Sequence, residues 1–323
     1  MQRGYPMNTI DNQIEQLLKY QGSTPKPDDF DEYWARALKE LDATAPEVQL
    51  KPAKFQVDCA DCFDLYFTGV GGSRIYAKYL RPKKSDAPHP ALLMFHGYSA
   101  NSGNWNEKLA YVAAGFSVFA MDVRGQGGLS QDLTNPNGPT LSLHVMKGIE
   151  DHEDTLFYRN VYLDTVQLAR VAASMPEVDG ERLGVMGGSQ GGGLSLACAA
   201  LANIKRAAVT YPFLCDFVWG YRNHPASSNW ELREYFRRHD PRNLTEKEVF
   251  RKLGYIDCQH LADRITAEVL MHTGLEDNIC PPMTQFAMYN KLKCKKSFMT
   301  YPNYTHEWIP DSDDYNFMFL TQL

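Results

Sequence analysis

Residues 184–193 read Gly-Val-Met-Gly-Gly-Ser-Gln-Gly-Gly-Gly. Within this run Gly187, Ser189 and Gly191 fit the pattern G-x-S-x-G, which sets a serine hydroxyl on a sharp turn and predicts nucleophilic attack on an ester or amide carbonyl. An apolar run, residues 182–186, precedes the turn, and a small-residue run with helical character, 194–202, follows it. Strand, turn, helix is the context such a serine needs. The turn is strained and bulky neighbours would collide in it, so glycines flank it. The start of the helix then supplies partial positive charge and free N–H groups where an oxyanion would form. The same pattern also occurs in ordinary loops, so the reading requires a base and an acid from elsewhere in the chain.

Both are present. Residues 267–271 predict a strand, and Gly274-Leu-Glu-Asp-Asn278 follows it. Asp277 therefore falls just beyond a strand's carboxyl end, where a carboxylate can accept an imidazole N–H and fix the tautomer. Glu276 is the competing carboxylate. His306 follows a predicted strand near Phe298 and precedes a last helix. The order Ser189, Asp277, His306 is the chain order of an α/β-hydrolase triad, and all three follow strands.

His96-Gly97-Tyr98 ends the apolar run 91–95. The loop after this strand and the residue after the nucleophile are the usual oxyanion donors, which points to the backbone N–H groups of Tyr98 and Gln190. His96 and His272, both at strand ends, read as structural histidines. Asp122-Val-Arg-Gly-Gln-Gly127 has residues able to bind phosphate, but no lysine-bearing phosphate loop and no G-x-G-x-x-G accompanies it. Arg124 is expected instead to tie loops under the site through charge-assisted hydrogen bonds.

The elements that must position these groups alternate. Helical spacing covers residues 9–19 and 30–41, the second helix capped by Asp28 or Asp29. Short β-prone runs fill 52–82, with a turn at 69–73, and predict antiparallel strands entering a sheet. Strands follow at 91–95, 116–121, 182–186, 206–210, 267–271 and near 297–300. Helices are expected at 106–114, 155–174, after Ser189, at 281–292 and after His306. This rhythm predicts the α/β class, with a mostly parallel central sheet and helices on both faces. Residues 211–263 interrupt it with helical pieces near 230–239 and 245–253, and read as an inserted helical cap. The expected organisation is one domain over 1–323, with 1–50 an N-terminal helical extension. Trp219, Tyr221 and Trp230 in the cap are either pocket walls or packing surface.

Composition narrows the function classes. A net charge of −6 leaves no basic footprint, so nucleic acid is not an expected partner. No segment is apolar for long enough to span a membrane, and residues 1–20 lack the apolar core of a secretory signal. The chain is thus expected to be cytosolic, or to have lost a signal; Met7 is also a possible internal start. Seven cysteines, an odd number spread from Cys59 to Cys294, argue for a reducing compartment rather than a disulfide framework. Cys59-Ala-Asp-Cys62 has no second pair at zinc spacing and reads as small buried apolar residues.

Taken together, several segments carry a family resemblance. They are Asp29-Phe-Asp-Glu-Tyr-Trp34, His96-Gly-Tyr98, Asp122-Val-Arg-Gly-Gln-Gly127, Tyr158-Arg-Asn-Val-Tyr-Leu-Asp164, Gly187-Gly-Ser-Gln-Gly-Gly-Gly193, Gly274-Leu-Glu-Asp-Asn-Ile-Cys-Pro-Pro282 and His306-Glu307. In this order they resemble the carbohydrate esterases of the acetyl xylan esterase and cephalosporin C deacetylase type (carbohydrate esterase family 7), within the α/β-hydrolase fold. The resemblance implies a Ser189, Asp277, His306 triad and an oxyanion hole from the backbone of Tyr98 and Gln190. It implies acetate release from O-acetylated xylo-oligosaccharides and from small acetyl esters including cephalosporin C. It also implies a cytoplasmic homohexamer and no metal or organic cofactor. Residues 128–137 depart from the family's usual texture, which bears on substrate preference more than on chemistry. The rival readings are another hydrolase on this fold, such as a peptidase, lactone hydrolase or carboxylesterase, and a non-catalytic binding protein that kept the fold.

Overall fold

A computed structural model describes residues 9–85, 87–138, 144–224 and 229–323. Met7 as an internal start, with residues 1–6 as an extension, lies outside the described residues. Nine strands form one sheet: β1 (Gln49–Pro52), β2 (Ala60–Thr68), β3 (Arg74–Pro82), β4 (His89–Phe95), β5 (Ser117–Met121), β6 (Val178–Gly188), β7 (Arg206–Thr210), β8 (Glu268–Gly274) and β9 (Lys296–Tyr301). Their spatial order is β1-β2-β3-β5-β4-β6-β7-β8-β9. The first three strands and the β3–β5 pairing are antiparallel. Every pairing from β5 through β4 to β9 is parallel.

The inner parallel strands β4, β5, β7 and β8 are largely buried on both faces, so they are mostly apolar runs whose alternate residues enter different cores. Leu92, Val118 and Ala208 pack against Tyr111 and Val112 of the helix Leu109–Ala113 and Leu320 of the helix Ser312–Leu320. Their neighbours Leu93, Phe119 and Ala207 join the larger core on the other face. That core holds the helices Phe30–Asp42, Phe157–Ser174, Gln190–Leu201 and Pro282–Tyr289. This is the α/β-hydrolase architecture, with antiparallel strands at its N-terminal edge.

Element boundaries differ from the sequence reading where local chemistry misleads. The strand expected at 182–186 is β6, which begins at Val178: Val178 pairs with His89, and a register shift before the Ala91–Leu183 pair leaves residues 179–182 as an irregularity in the pairing with β4. The helix expected at 106–114 is a single 3-10 turn, Asn106–Lys108, followed by Leu109–Ala113. In the segment 211–263 the helices Trp230–His239 and Glu246–Gly254 fall where expected. A third, Phe217–Asn223, was not foreseen. It starts at Asp216, which is held at φ 46° and accepts from the Trp219 amide. Asp216 also accepts from the Tyr20 and Ser23 hydroxyls and from the Thr24 amide and hydroxyl, which ties the N-terminal segment to this helix. Cys62 is buried as expected, whereas Cys59 is exposed.

Arg124 occupies the structural role predicted for it. It is 0% exposed, and its Nε and Nη2 donate to the two carboxylate oxygens of Asp164 at 2.6 and 2.7 Å. It also donates to the Val70 carbonyl at 3.2 Å and the Ser73 hydroxyl at 3.3 Å, joining the β2–β3 turn to the helix Phe157–Ser174. Breaking a buried ion pair strands its partner's charge, which typically costs about 3–5 kcal/mol. Arg124→Met should therefore lower unfolding free energy by about that amount in urea titrations, and Arg124→Met/Asp164→Leu should recover much of the loss.

Candidate active site

Ser189 sits between β6 and the helix Gln190–Leu201, at φ 56° and ψ −121°. For a non-glycine residue this is a strained backbone, and such strain persists only where neighbours fix it. The fixing is visible: the Ser189 amide donates to the Thr210 carbonyl at 3.0 Å, and the Phe213 amide donates to the Ser189 carbonyl at 2.9 Å. The flanking glycines are required by contact. A Cβ on Gly191 would lie 2.0 Å from the Phe95 carbonyl oxygen, and one on Gly187 would lie 2.5 Å from the Gly191 backbone. Gly191→Ala should cost about 1–3 kcal/mol by overpacking. Thermal unfolding of the variant beside wild type checks this, and an unchanged midpoint would contradict the contact argument.

The structure brings Ser189, Asp277 and His306 together. His306 Nε2 lies 3.0 Å from Ser189 Oγ, and His306 Nδ1 lies 2.8 Å from Asp277 Oδ2. Asp277 is 2% exposed, and its other oxygen accepts from the Ile279 and Cys280 amides at 2.9 and 2.8 Å. A carboxylate already accepting two N–H groups accepts the third from His306, so Nδ1 carries the proton and Nε2 is left to accept from the Ser189 hydroxyl. Glu276, the competing acid, is exposed. Asp277 follows β8 and His306 follows β9, so both groups reach Ser189 from beyond strand carboxyl ends.

Tyr98 lies in the loop after β4, and Gln190 is the first residue of the helix after Ser189. The loop is pressed against the elbow, since the Phe95 and His96 carbonyls are the atoms crowding Gly191. Side chains lock it there. Gln126 Nε2 donates to Gln190 Oε1 at 2.8 Å, and Gln190 Nε2 donates back to Gln126 Oε1 at 3.0 Å. Gln126 Oε1 also accepts from the Ser99 amide at 3.1 Å, one residue beyond Tyr98. Tyr158 closes the network by donating to Gln190 Oε1 at 2.8 Å. The two backbones that would face an oxyanion are thus bolted to each other through Gln126 and Gln190. The sequence reading assigned Gln190 a backbone role only; Gln126 and Tyr158 lie in the segments that carried the family resemblance.

His96 accepts from the Val123 amide at Nε2 and directs Nδ1 at the Gly97 carbonyl, so it is neutral and joins the ends of β4 and β5. Burial also lowers its pKa. His272 is fully buried, hydrogen-bonded to the Tyr301 hydroxyl at 2.9 Å, and lowered to about 4 by burial. The bonds these two histidines make are to Val123, Gly97 and Tyr301, whereas His306 is the one bonded to Ser189 and Asp277. Two residues at the site were missed. Tyr211, at φ 34°, sets its ring 4.4 Å from that of His306. Cys280 brings its sulfur within 3.9 Å of Ser189 Oγ. Of the aromatics in residues 211–263, Tyr221 packs on Phe236 and Phe250, while Trp219 lines a cavity of about 340 Å³ beside the acid loop with Gln13, Leu17 and Pro281.

Residues 7–323 match the family model for acetyl xylan esterase. The chain belongs to the acetyl xylan esterase family. Members of this family are carboxylic ester hydrolases, and three similar proteins agree. Acetyl xylan esterase 1 from Thermoanaerobacterium sp. JW/SL YS485 is 50% identical, with a TM-score of 0.94 over 98% of this chain and 99% of that one. An acetyl xylan esterase from Paenibacillus sp. R4 is 34% identical, with a TM-score of 0.92 over 96% of this chain and 99% of that one. The acetyl esterase Axe7A of Xylanibacter ruminicola is 28% identical over 305 residues, which is 91% of this chain but only 66% of that longer relative. The acetyl xylan esterase family was thus legible in the ordered motifs before any fold was known.

Proposed function

We propose that this chain is a serine esterase that removes acetyl groups from O-acetylated xylo-oligosaccharides, with Ser189 as nucleophile, His306 as base and Asp277 as the orienting acid. The observation that carries the reading is the continuous relay from Asp277 through His306 to Ser189 Oγ, at 2.8 and 3.0 Å, on a strained elbow. Family membership supplies the substrate class. His306 takes the Ser189 proton as Oγ attacks the acetyl carbonyl, and Asp277 stabilises the imidazolium that results. The backbone N–H groups of Tyr98 and Gln190 receive the oxyanion, a donor pair worth about a hundred- to thousandfold in rate for each member lost. His306 then returns the proton to the sugar oxygen as the bond between that oxygen and the acetyl carbon breaks, leaving acetyl-Ser189. Water, activated by the same histidine, hydrolyses acetyl-Ser189.

The same reading extends to small acetyl esters including cephalosporin C. It also takes in one domain over 1–323 with an N-terminal extension and a cap at 211–263, and a cytoplasmic homohexamer without cofactor. Its support there is the family resemblance, with one structural observation alongside: no helix among the described residues is long and apolar enough to cross a membrane. Light scattering of the purified protein tests the hexamer. A substrate panel tests the chemistry: p-nitrophenyl acetate, butyrate and octanoate beside an aminoacyl-proline amide. Steep preference for acetate is the expected result. Amide cleavage, or a preference for octanoate, would replace the proposal with the peptidase or general carboxylesterase reading.

A further inference from the structure

The relay fixes where the alcohol half of a substrate must lie. His306 Nε2 has to protonate the departing oxygen, so that oxygen comes within hydrogen-bond reach of it and the sugar ring bonded to it lies on the His306 side of Ser189. Trp308 follows two residues later, with its Cα at most ~7 Å from that of His306. Its side chain is 68% exposed. An indole so placed gives up the burial that would normally stabilise it and leaves much of its surface open to a ligand.

The ring is nevertheless held. Trp308 Nε1 donates to Asp313 Oδ2 at 3.2 Å. Asp313 is the second residue of the helix Ser312–Leu320. Burial raises the Tyr211 hydroxyl to about 12, with Asp277, Cys280, Asp313 and Glu307 adding to it. Tyr211 in turn packs on His306. Glu307, between His306 and Trp308, is turned back onto the Thr305 amide and hydroxyl and does not cover the indole. Trp308 is thus bonded to Asp313 and lies two residues along the chain from His306, on whose ring Tyr211 packs.

We propose that Trp308 is a stacking platform for a pyranose ring of the substrate, beside the ring that carries the acetyl group, with Asp313 accepting from its hydroxyls. The chemistry fits a sugar in particular. A pyranose presents an apolar C–H face and a rim of hydroxyl donors, and an aromatic face flanked by a carboxylate answers both. This rests on the deacetylase reading above and adds the specificity-determining residue to it.

The test compares acetylated xylotriose with p-nitrophenyl acetate, a substrate with no sugar ring. For Trp308→Ala the ratio of kcat/KM between the two should fall roughly five- to fiftyfold, carried by KM, while Trp308→Phe stays within about threefold of wild type. Parallel changes on both substrates would overturn the proposal. So would an unchanged ratio with an altered particle mass, which would make Trp308 a subunit contact. A fluorescence titration with unacetylated xylotriose gives a second readout: a saturable change in wild type, abolished in Trp308→Ala. If wild type turns over p-nitrophenyl acetate but not acetylated xylotriose, the deacetylase reading fails. The titration then decides the platform alone, and the absence of a Trp308-dependent change overturns it.

Discussion

Ser189→Ala should lower kcat on p-nitrophenyl acetate by roughly 10⁴- to 10⁶-fold, with any residual rate owed to the oxyanion donors and binding. The size of the effect follows from what is removed. Ser189 Oγ is the atom that forms the bond to the acetyl carbon, and it is the hydroxyl that His306 Nε2 meets at 3.0 Å. The fold should be indifferent. The elbow is held by backbone bonds to Thr210 and Phe213 and by the close approach of Gly187 and Gly191, none of which involves Oγ. Thermal unfolding within about 2 °C of wild type is the matching control. A variant that keeps a tenth of wild-type turnover, well above a buffer blank, would remove Ser189 from the mechanism.

Asp277→Asn should cost roughly 10⁴-fold in kcat. The mechanism of the loss differs from that of Ser189→Ala. An amide in place of the buried carboxylate either turns its NH₂ toward His306 or loses the charge that stabilises the imidazolium. In the first case the ring flips to the wrong tautomer, and Nε2 can no longer take the Ser189 proton. Glu276→Gln is the discriminating partner. Glu276 is exposed and Asp277 is the residue bonded to His306, so Glu276→Gln should stay within about threefold of wild type. Equal losses in the two variants would mean that the acid has been assigned to the wrong neighbour.

Much of this site could be read without a structure because its three reacting groups each follow a strand. Ser189, Asp277 and His306 lie at the ends of β6, β8 and β9, and strand periodicity together with glycine placement marks such ends in the sequence. The alternation that separates Leu92 from Leu93, or Val118 from Phe119, is equally local. What the sequence did not show is contact between distant positions. The reciprocal amide pair of Gln126 and Gln190 spans 64 residues, and Tyr211 reaches His306 across 95. Spacing carries no record of such meetings; only the folded sheet brings them together. The helix Phe217–Asn223 escaped for a related reason. Its start depends on Asp216 holding a left-handed backbone, secured by hydroxyls of Tyr20, Ser23 and Thr24 nearly two hundred residues away. Trp308 was visible as a residue but unremarkable until its exposure and its bond to Asp313 were known.

The most direct test of the central claim is acetate release from O-acetylated xylo-oligosaccharide, followed by proton NMR with wild type and Ser189→Ala side by side. Free acetate appearing with wild type, with the xylose backbone intact and no release above blank in the variant, is the predicted result. Acetate release at equal rates with both proteins would contradict the assignment of Ser189. Turnover of p-nitrophenyl acetate by wild type without any release from the sugar would contradict the substrate.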